Sequence, residues 1–346
     1  MGQLKRSDLP AELRSAFSRF ESGLYEQAGV QALGILQNAP GDPDALYLLR
    51  LVERRLGRKP TGPAKLIWQF DPKDCWECEW LRLLLAGTYD EEIVDNKWSQ
   101  IAPAMIVVDN RVVPEKAIYY RHAFETGARI VLVHLSDEAF KDDSGIYKYC
   151  DGVLRNYHSE LLADIARVDF IPLGYKAGFA RSGVTPKSAA QRQYLWSFAG
   201  DAKKISRGEM LAAMNSLEGG FTHLTEGFGT TDALSTEAYR ALLDDTLVVP
   251  CPGGWSNLET FRVYEALEAG CIPIVEQRPA FDYFTRLLGP HPMPTITAWS
   301  EAAALVAQLK SSDSLEALRA ACFAWWQNKK PALAQRAAAF VKKSMG

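Results

Sequence analysis

The chain is 346 residues long, with 39 basic against 42 acidic residues, a hydrophobic content of 47% and a mean hydropathy of -0.14. That length exceeds what one core usually holds, so two or more domains are expected. The near-neutral charge gives no support for nucleic acid or an anionic membrane as partner, no apolar run reaches a membrane span, and the start MGQLKRSDLPAELRS lacks the apolar core of a secretory signal, so a cytoplasmic protein is expected.

Residues 10–57 carry a helical pattern. The run from Gly23 to Ala28, Pro40 at an inter-helix turn, and Gly57, which follows Gly23 by 34 residues, match the period of a tetratricopeptide repeat. Fewer than about three such repeats rarely stand alone, so residues 1–60 form a short repeat-like helical segment that must pack on the rest of the chain or on a partner. A structural appendage is the expectation, and the helices are also a candidate surface for a protein partner. Residues 59–63, with two prolines and a glycine, read as a linker.

From 64 to 178 strands and helices alternate. Strand patterns fall at 65–70, 91–94, 104–108, 128–134, 152–155 and 169–172, and helical faces at 77–85, 115–126 and 159–166. This alternation is that of a parallel sheet with helices on both faces, the first of two Rossmann-like domains. Cys75 and Cys78 form the one CxxC among six cysteines; without a second pair at metal spacing they read as structural thiols rather than a redox or zinc pair. Residues 178–193 are polar and read as an interdomain connection.

The alternation begins again over 192–320. Strands are expected at 194–199 and 221–225, helices at 207–215 and 236–243. Then comes the most informative stretch, TLVVPCPGGWSNLETFRVYEALEAGCIPIVE. Its apolar run stops at Pro250, a loop holds Pro252, Gly253 and Gly254, and Leu258, Phe261, Tyr264 and Leu267 recur at a spacing that keeps them on one helix face. Gly270 ends the helix, and 271–275 is the next buried strand. Helical patterns follow at 300–309 and 315–326, and a separate one after Pro331.

A strand, glycine-rich loop and helix present free backbone N–H groups and the positive end of the helix dipole, which suits an anion such as phosphate. Arg262 and Glu265, one turn inside, supply a cation for phosphate and a carboxylate for hydroxyl groups. Taken alone, a Gly-Gly turn equally suits a plain connection between core elements. Glu268, three residues beyond Glu265, is expected to face solvent.

The wording ETFRVYEALEAGCIPIV resembles the nucleotide-sugar-binding segment of the exostosin family of glycosyltransferases, matching at Thr260, Phe261, Arg262, Glu265, Ala266, Leu267, Ala269, Gly270, Cys271, Ile272 and Pro273. The family's loop arginine is absent here, where Pro252-Gly253-Gly254 stands. The resemblance implies the GT-B architecture: two Rossmann-like domains facing one cleft, here preceded by the helical segment, with terminal helices, 321–346, crossing back to the first domain. Trp325 and Trp326 could anchor that crossing or simply pack in the core.

It also implies Arg262 at the donor diphosphate and Glu265 at the ribose or base, with Asn257, Glu259 and Thr260 at the helix start. The segment Phe198-Ala199-Gly200-Asp201-Ala202-Lys203-Lys204, with Ser206 as a candidate N-cap and Arg207 behind it, resembles the family's second phosphate-facing turn. Gly200 allows close backbone approach, and Lys203, Lys204 or Arg207 can meet a diphosphate, although such a run also suits a solvated helix start. On the first domain, His134-Leu135-Ser136-Asp137-Glu138 ends a strand. Inverting sugar transfer needs a base for the acceptor hydroxyl, and Asp137 or Glu138 are the candidates, with His134 third.

No metal and no cofactor are expected. No DxD stands near a strand end of the second domain, and in this architecture helix dipoles and cations hold the leaving diphosphate. The expected function is transfer of a sugar from a nucleotide-sugar, a UDP-sugar, to a glycan or glycolipid acceptor. The alternatives are a non-catalytic interaction protein using the repeat-like helices, and a different Rossmann enzyme; the absence of GxGxxG after the first strand counts against the latter.

Overall fold

The computed structural model describes residues 10–57, 62–165, 167–180, 183–204, 206–227, 229–312 and 314–346. The first nine residues and most of the 59–63 linker therefore lie outside the described residues. The chain begins with three helices, α1 (Ala11–Glu21), α2 (Tyr25–Asn38) and α3 (Pro43–Arg55). Ala16, Ala28, Ala32, Leu48 and Val52 give them a small core of their own. They dock on the first sheet domain through Arg54, whose guanidinium donates to Ala128 O at 2.9 Å, pairs with Asp151 at 3.4 Å and lies 3.9 Å from the Phe124 ring centroid.

Two parallel sheets follow. The first contains β1 (Ala64–Trp68), β2 (Tyr89–Val94), β3 (Ala104–Asp109), β4 (Arg129–His134), β5 (Gly152–Arg155) and β6 (Val168–Phe170), in the spatial order β2-β1-β3-β4-β5-β6. Its helices are α4 (Cys78–Leu84), α5 (Ala117–Glu125) and α6 (Glu160–Ala163). Every residue of β3 is buried, the mark of a strand covered on both faces. Cys75 and Cys78 are free, buried thiols in this core.

The second sheet contains β7 (Tyr194–Asp201), β8 (Gly220–Thr225), β9 (Thr246–Cys251), β10 (Ile272–Glu276) and β11 (Thr295–Ile296), ordered β11-β10-β9-β7-β8. Helices α7 (Arg207–Met214), α8 (Thr236–Asp244), α9 (Phe261–Glu268), α10 (Tyr283–Leu288) and α11 (Ala302–Ser311) accompany it, and α12 (Leu315–Met345) closes the chain. The strand order reverses between β7 and β9, so a crevice opens beyond their C-terminal ends. Gly200 ends one of these strands and the Gly253-Gly254 loop follows the other. Two parallel α/β domains facing one cleft make this the GT-B fold.

The final helix differs from the sequence expectation of a break at Pro331. It runs unbroken for 31 residues with Pro331 inside. Proline removes one helical hydrogen bond, but packing on both sides of it outweighs that loss. On one side Trp326 stacks on Trp80 of α4 at 5.6 Å and packs at a tilt on Tyr264 of α9 at 5.5 Å; on the other, Leu333, Ala337 and Val341 are buried. Glu268, expected in solvent, is only 4% exposed, because it accepts from Trp326 Nε1 at 2.7 Å and pairs with Lys330 at 2.8 Å. Further along, Arg336 pairs with Asp169 of β6. One helix thus fastens both sheet domains.

Replacing Trp326 by alanine removes a fully buried indole that touches both domains. The expected loss is about 3–5 kcal/mol of unfolding free energy, read from urea denaturation. A loss under about 1 kcal/mol would show that α12 does not fasten the domains.

Candidate functional site

A cavity of about 370 Å³ lies at the β7/β9 crevice, walled by both sheet domains. Trp76, Glu138, Tyr157, Leu173 and Lys176 reach it from the first; the ends of β7 and β8, the 254–262 segment and Glu265 reach it from the second.

Its floor is cationic. Gly200 adopts φ +140, a conformation that favours glycine, and a Cβ there would stand 2.9 Å from a guanidinium nitrogen of Arg262, which lies across the end of β7. Arg262 donates to Ala199 O at 2.7 Å, with its guanidinium carbon 4.5 Å from the Phe198 ring centroid. Arg207 lies beside the same ring and donates to Asp201 O at 2.6 Å. Burial, and then the neighbouring Arg262 charge, push the Arg207 guanidinium down to about 10. The Lys204 ammonium, 5.4 Å from the Trp255 ring centroid, is likewise held below its ordinary value by burial and then by Arg207. Cations gathered against their own repulsion are arranged for an anion.

Three of the lining residues carry orphaned polar atoms. Among the described residues, Arg207 Nε, Arg262 Nε and Thr260 Oγ1 are buried and find no hydrogen-bond partner. A buried polar atom of this kind needs an explanation, and a ligand is one. Neither helix start here is capped by a side chain. Thr260 stands at the cap position of α9 in extended geometry; its carbonyl accepts from Val263 N at 3.2 Å, while its hydroxyl makes no cap bond. Ser206 is not the N-cap expected of it. Its backbone is left-handed, with φ 63, and its hydroxyl is turned to Glu276, which also accepts from Gly253 N at 3.2 Å and Trp299 Nε1 at 2.5 Å.

Three glutamates line the cavity in different surroundings. Burial raises Glu265 to about 7 against the opposing pull of Arg262, so its carboxyl can both accept and donate hydrogen bonds near neutrality. Glu259 is buried and held from both domains: it accepts from Leu173 N at 2.6 Å, from Tyr283 Oη at 2.7 Å and from Tyr264 Oη. Glu138 extends from the first domain so that its Oε1 accepts from Ser256 N at 2.8 Å and Asn257 N at 3.1 Å.

Of the residues singled out in the sequence, Glu138, Gly200, Arg207, Glu259, Thr260, Arg262 and Glu265 line this cavity. Asn257 lines an adjoining cavity of about 210 Å³ that shares Gly254 and Trp255 with it. Lys203 is elsewhere, its ammonium donating to Glu226 O at 3.2 Å. Asp137 also stands outside the lining, bonded to Arg155 at 3.2 Å and to Lys141 N at 2.7 Å. His134 is buried between Tyr147 Oη at 2.6 Å and Asp142 at 3.0 Å. The lining residues that sequence reasoning passes over include Trp76, Lys176, His223, Tyr239 and Trp255. Only Trp255, directly after Gly254 in the informative loop, carried a local signal.

Residues 179–345 match the family model described as the RXYLT1 C-terminal domain, a span that includes every second-domain residue of this site. Among solved structures the chain is similar to an alpha1,3-fucosyltransferase, at 12% identity and a TM-score of 0.49 over 74% of this chain and 81% of the other. It is similar to an O-GlcNAc transferase of Thermobaculum terrenum, at 11% identity and a TM-score of 0.48 over 96% and 82%. A UDP-glucosyltransferase of Polygonum tinctorium follows at 13% and 0.44, over 82% and 99%. No curated protein matches by sequence.

Two outcomes follow from this geometry. Gly200→Ala, which puts a side chain on a backbone at φ +140, is expected to cost about 1–3 kcal/mol of unfolding free energy in urea denaturation; unchanged stability would show that this position does not require glycine. The second concerns pH. The folded Glu265 carboxyl sits at about 7 against an ordinary 4.5, so the folded state holds the proton more tightly and stability falls as pH rises through that window. Glu265→Gln, which cannot ionise, is expected to gain on the wild type across the same range, towards about 3 kcal/mol above its upper end. Parallel stability profiles would show that this carboxyl is not held protonated.

Proposed function

We propose that this chain, a glycosyltransferase of the GT-B fold, takes its sugar from a nucleoside-diphosphate donor, a UDP-sugar, and passes it to a glycan or glycolipid acceptor with inversion. The glycosyltransferase class rests on the family match over 179–345 and on the two facing parallel sheets. The donor reading is carried by one observation: three buried donors without partners, Arg207 Nε, Arg262 Nε and Thr260 Oγ1, belong to residues that line one interdomain cavity.

In this reading the diphosphate lies across the starts of α7 and α9, meeting Arg207, Arg262, Lys204 and the positive end of the α9 dipole. Glu265 takes the ribose hydroxyls. The acceptor oxygen attacks the anomeric carbon as a base removes its proton, the bond from that carbon to the phosphate oxygen breaks, and the nucleoside diphosphate leaves with the bonding pair. The cations and helix dipoles stabilise the charge that develops on the leaving oxygen, a role that requires no divalent ion. Glu138 is the base in this scheme, because it stands on the first-domain wall of the cavity whereas Asp137 is committed to Arg155. The six free, buried cysteines support a reducing compartment.

Calorimetry with UDP-, GDP- and CMP-sugars tests the donor class, and Arg262→Ala and Glu265→Ala test the site. The expected result is binding of UDP-sugars by the wild type and a loss of transfer of about 100-fold or more in Arg262→Ala, with unfolding midpoints showing both variants folded. Binding of none of the panel, or full turnover in both variants, would overturn the reading.

A further inference from the structure

The loop between β9 and α9 is tied across the cleft in both directions. From the loop, Glu259 passes into the first domain and is bonded by Leu173 N and by two tyrosine hydroxyls, with 1% of its surface exposed. Into the loop, Glu138 arrives from the first domain and is bonded by the backbone N–H groups of Ser256 and Asn257. The first tie is saturated and dry. The second uses a single carboxylate oxygen, Oε1, and both of its bonds are made by a loop whose Ser256 is exposed.

The place Glu138 occupies is built for an anion. Gly254 faces Oε1 so closely that a Cβ would collide with it, so the glycine is what admits the carboxylate. The charge of Glu138 also acts on Lys204 and Arg207, favouring their protonated forms. Paired loop amides beside cations are what a phosphate would seek, and in the ligand-free chain a carboxylate of the protein itself fills that role.

We propose that Glu138 is an internal competitor for the donor diphosphate: it closes the 254–257 loop in the empty enzyme, and the arriving diphosphate displaces it and leaves its carboxylate free to face the acceptor. This rests on the donor reading above and adds an order of events. Until a donor binds, the carboxylate proposed as base is held by Ser256 and Asn257; once released, it can take the acceptor proton. An intramolecular competitor raises the apparent dissociation constant by the inverse of the fraction of time it is absent.

Calorimetry with UDP and with inorganic pyrophosphate on wild type, Glu138→Ala and Glu138→Gln tests this. If the loop is closed about nine-tenths of the time, Glu138→Ala binds both probes on the order of tenfold more tightly. Glu138→Gln, which keeps an accepting oxygen without the charge, falls between it and the wild type. Transfer drops in both variants while the donor KM decreases, a split that a carboxylate serving only to build the loop would not give. Equal or weaker binding by Glu138→Ala, in a protein whose unfolding midpoint shows it folded, overturns the proposal alone. Binding of neither probe by the wild type or either variant overturns the donor reading and this proposal with it.

Discussion

The geometry of the cleft depends on one buried carboxylate. Glu259 leaves the loop before α9 and is met by Leu173 N from the first domain and by Tyr264 and Tyr283 from its own. A carboxylate taken out of water is costly unless its lone pairs are used, and here they are. Burial still raises its proton affinity above that of an ordinary carboxylate. The bonds are therefore available only when the domains sit at this spacing, and with the spacing fixed, first-domain residues such as Trp76 and Lys176 share one cavity with Arg262.

The same spacing is enforced from behind by α12. Trp326 reaches Trp80 on one domain and Tyr264 on the other, and its indole N–H ends on Glu268 of α9. Helix α9 is thus braced at both ends, by Glu259 before its first turn and by Glu268 at its last. Between them Arg262 and Glu265 are presented to the cavity by a helix with little freedom to shift, which is what preorganisation requires. The strain of the arrangement is electrostatic: Arg207 is depressed by burial and by Arg262, and Lys204 by burial and by Arg207. An anion between them would relieve that repulsion.

The parts of this fold legible in the sequence are those decided by neighbours in the chain. Continuous apolar runs mark β3, β4 and β9 because their residues are buried on both faces, and the loop that turns β9 into α9 carries its own Gly-Gly signal. Arg262, Glu265, Gly200 and Arg207 fall at the cavity because strand ends at a sheet's switch point converge wherever the strands lead. Distant partners decide the rest. Glu268 looks solvent-facing until Trp326, 58 residues on, covers it. Pro331 looks like a stop until residues on both sides of it find their packing. Asp137 and Glu138 are adjacent, yet they follow Ser136 at φ 66, and one carboxylate turns into Arg155 while the other crosses to the opposite domain. No spacing rule distinguishes them, because the turn that separates them is held by tertiary contacts.

We propose that the cavity at the β7/β9 crevice is a nucleoside-diphosphate site. A crystal structure with UDP at saturating concentration tests it most directly. The account predicts diphosphate oxygens within hydrogen-bond distance of Arg262, Arg207 and the amides at the start of α9, with the ribose against Glu265. An unoccupied crevice, or UDP bound away from the ends of β7 and β9, would contradict it.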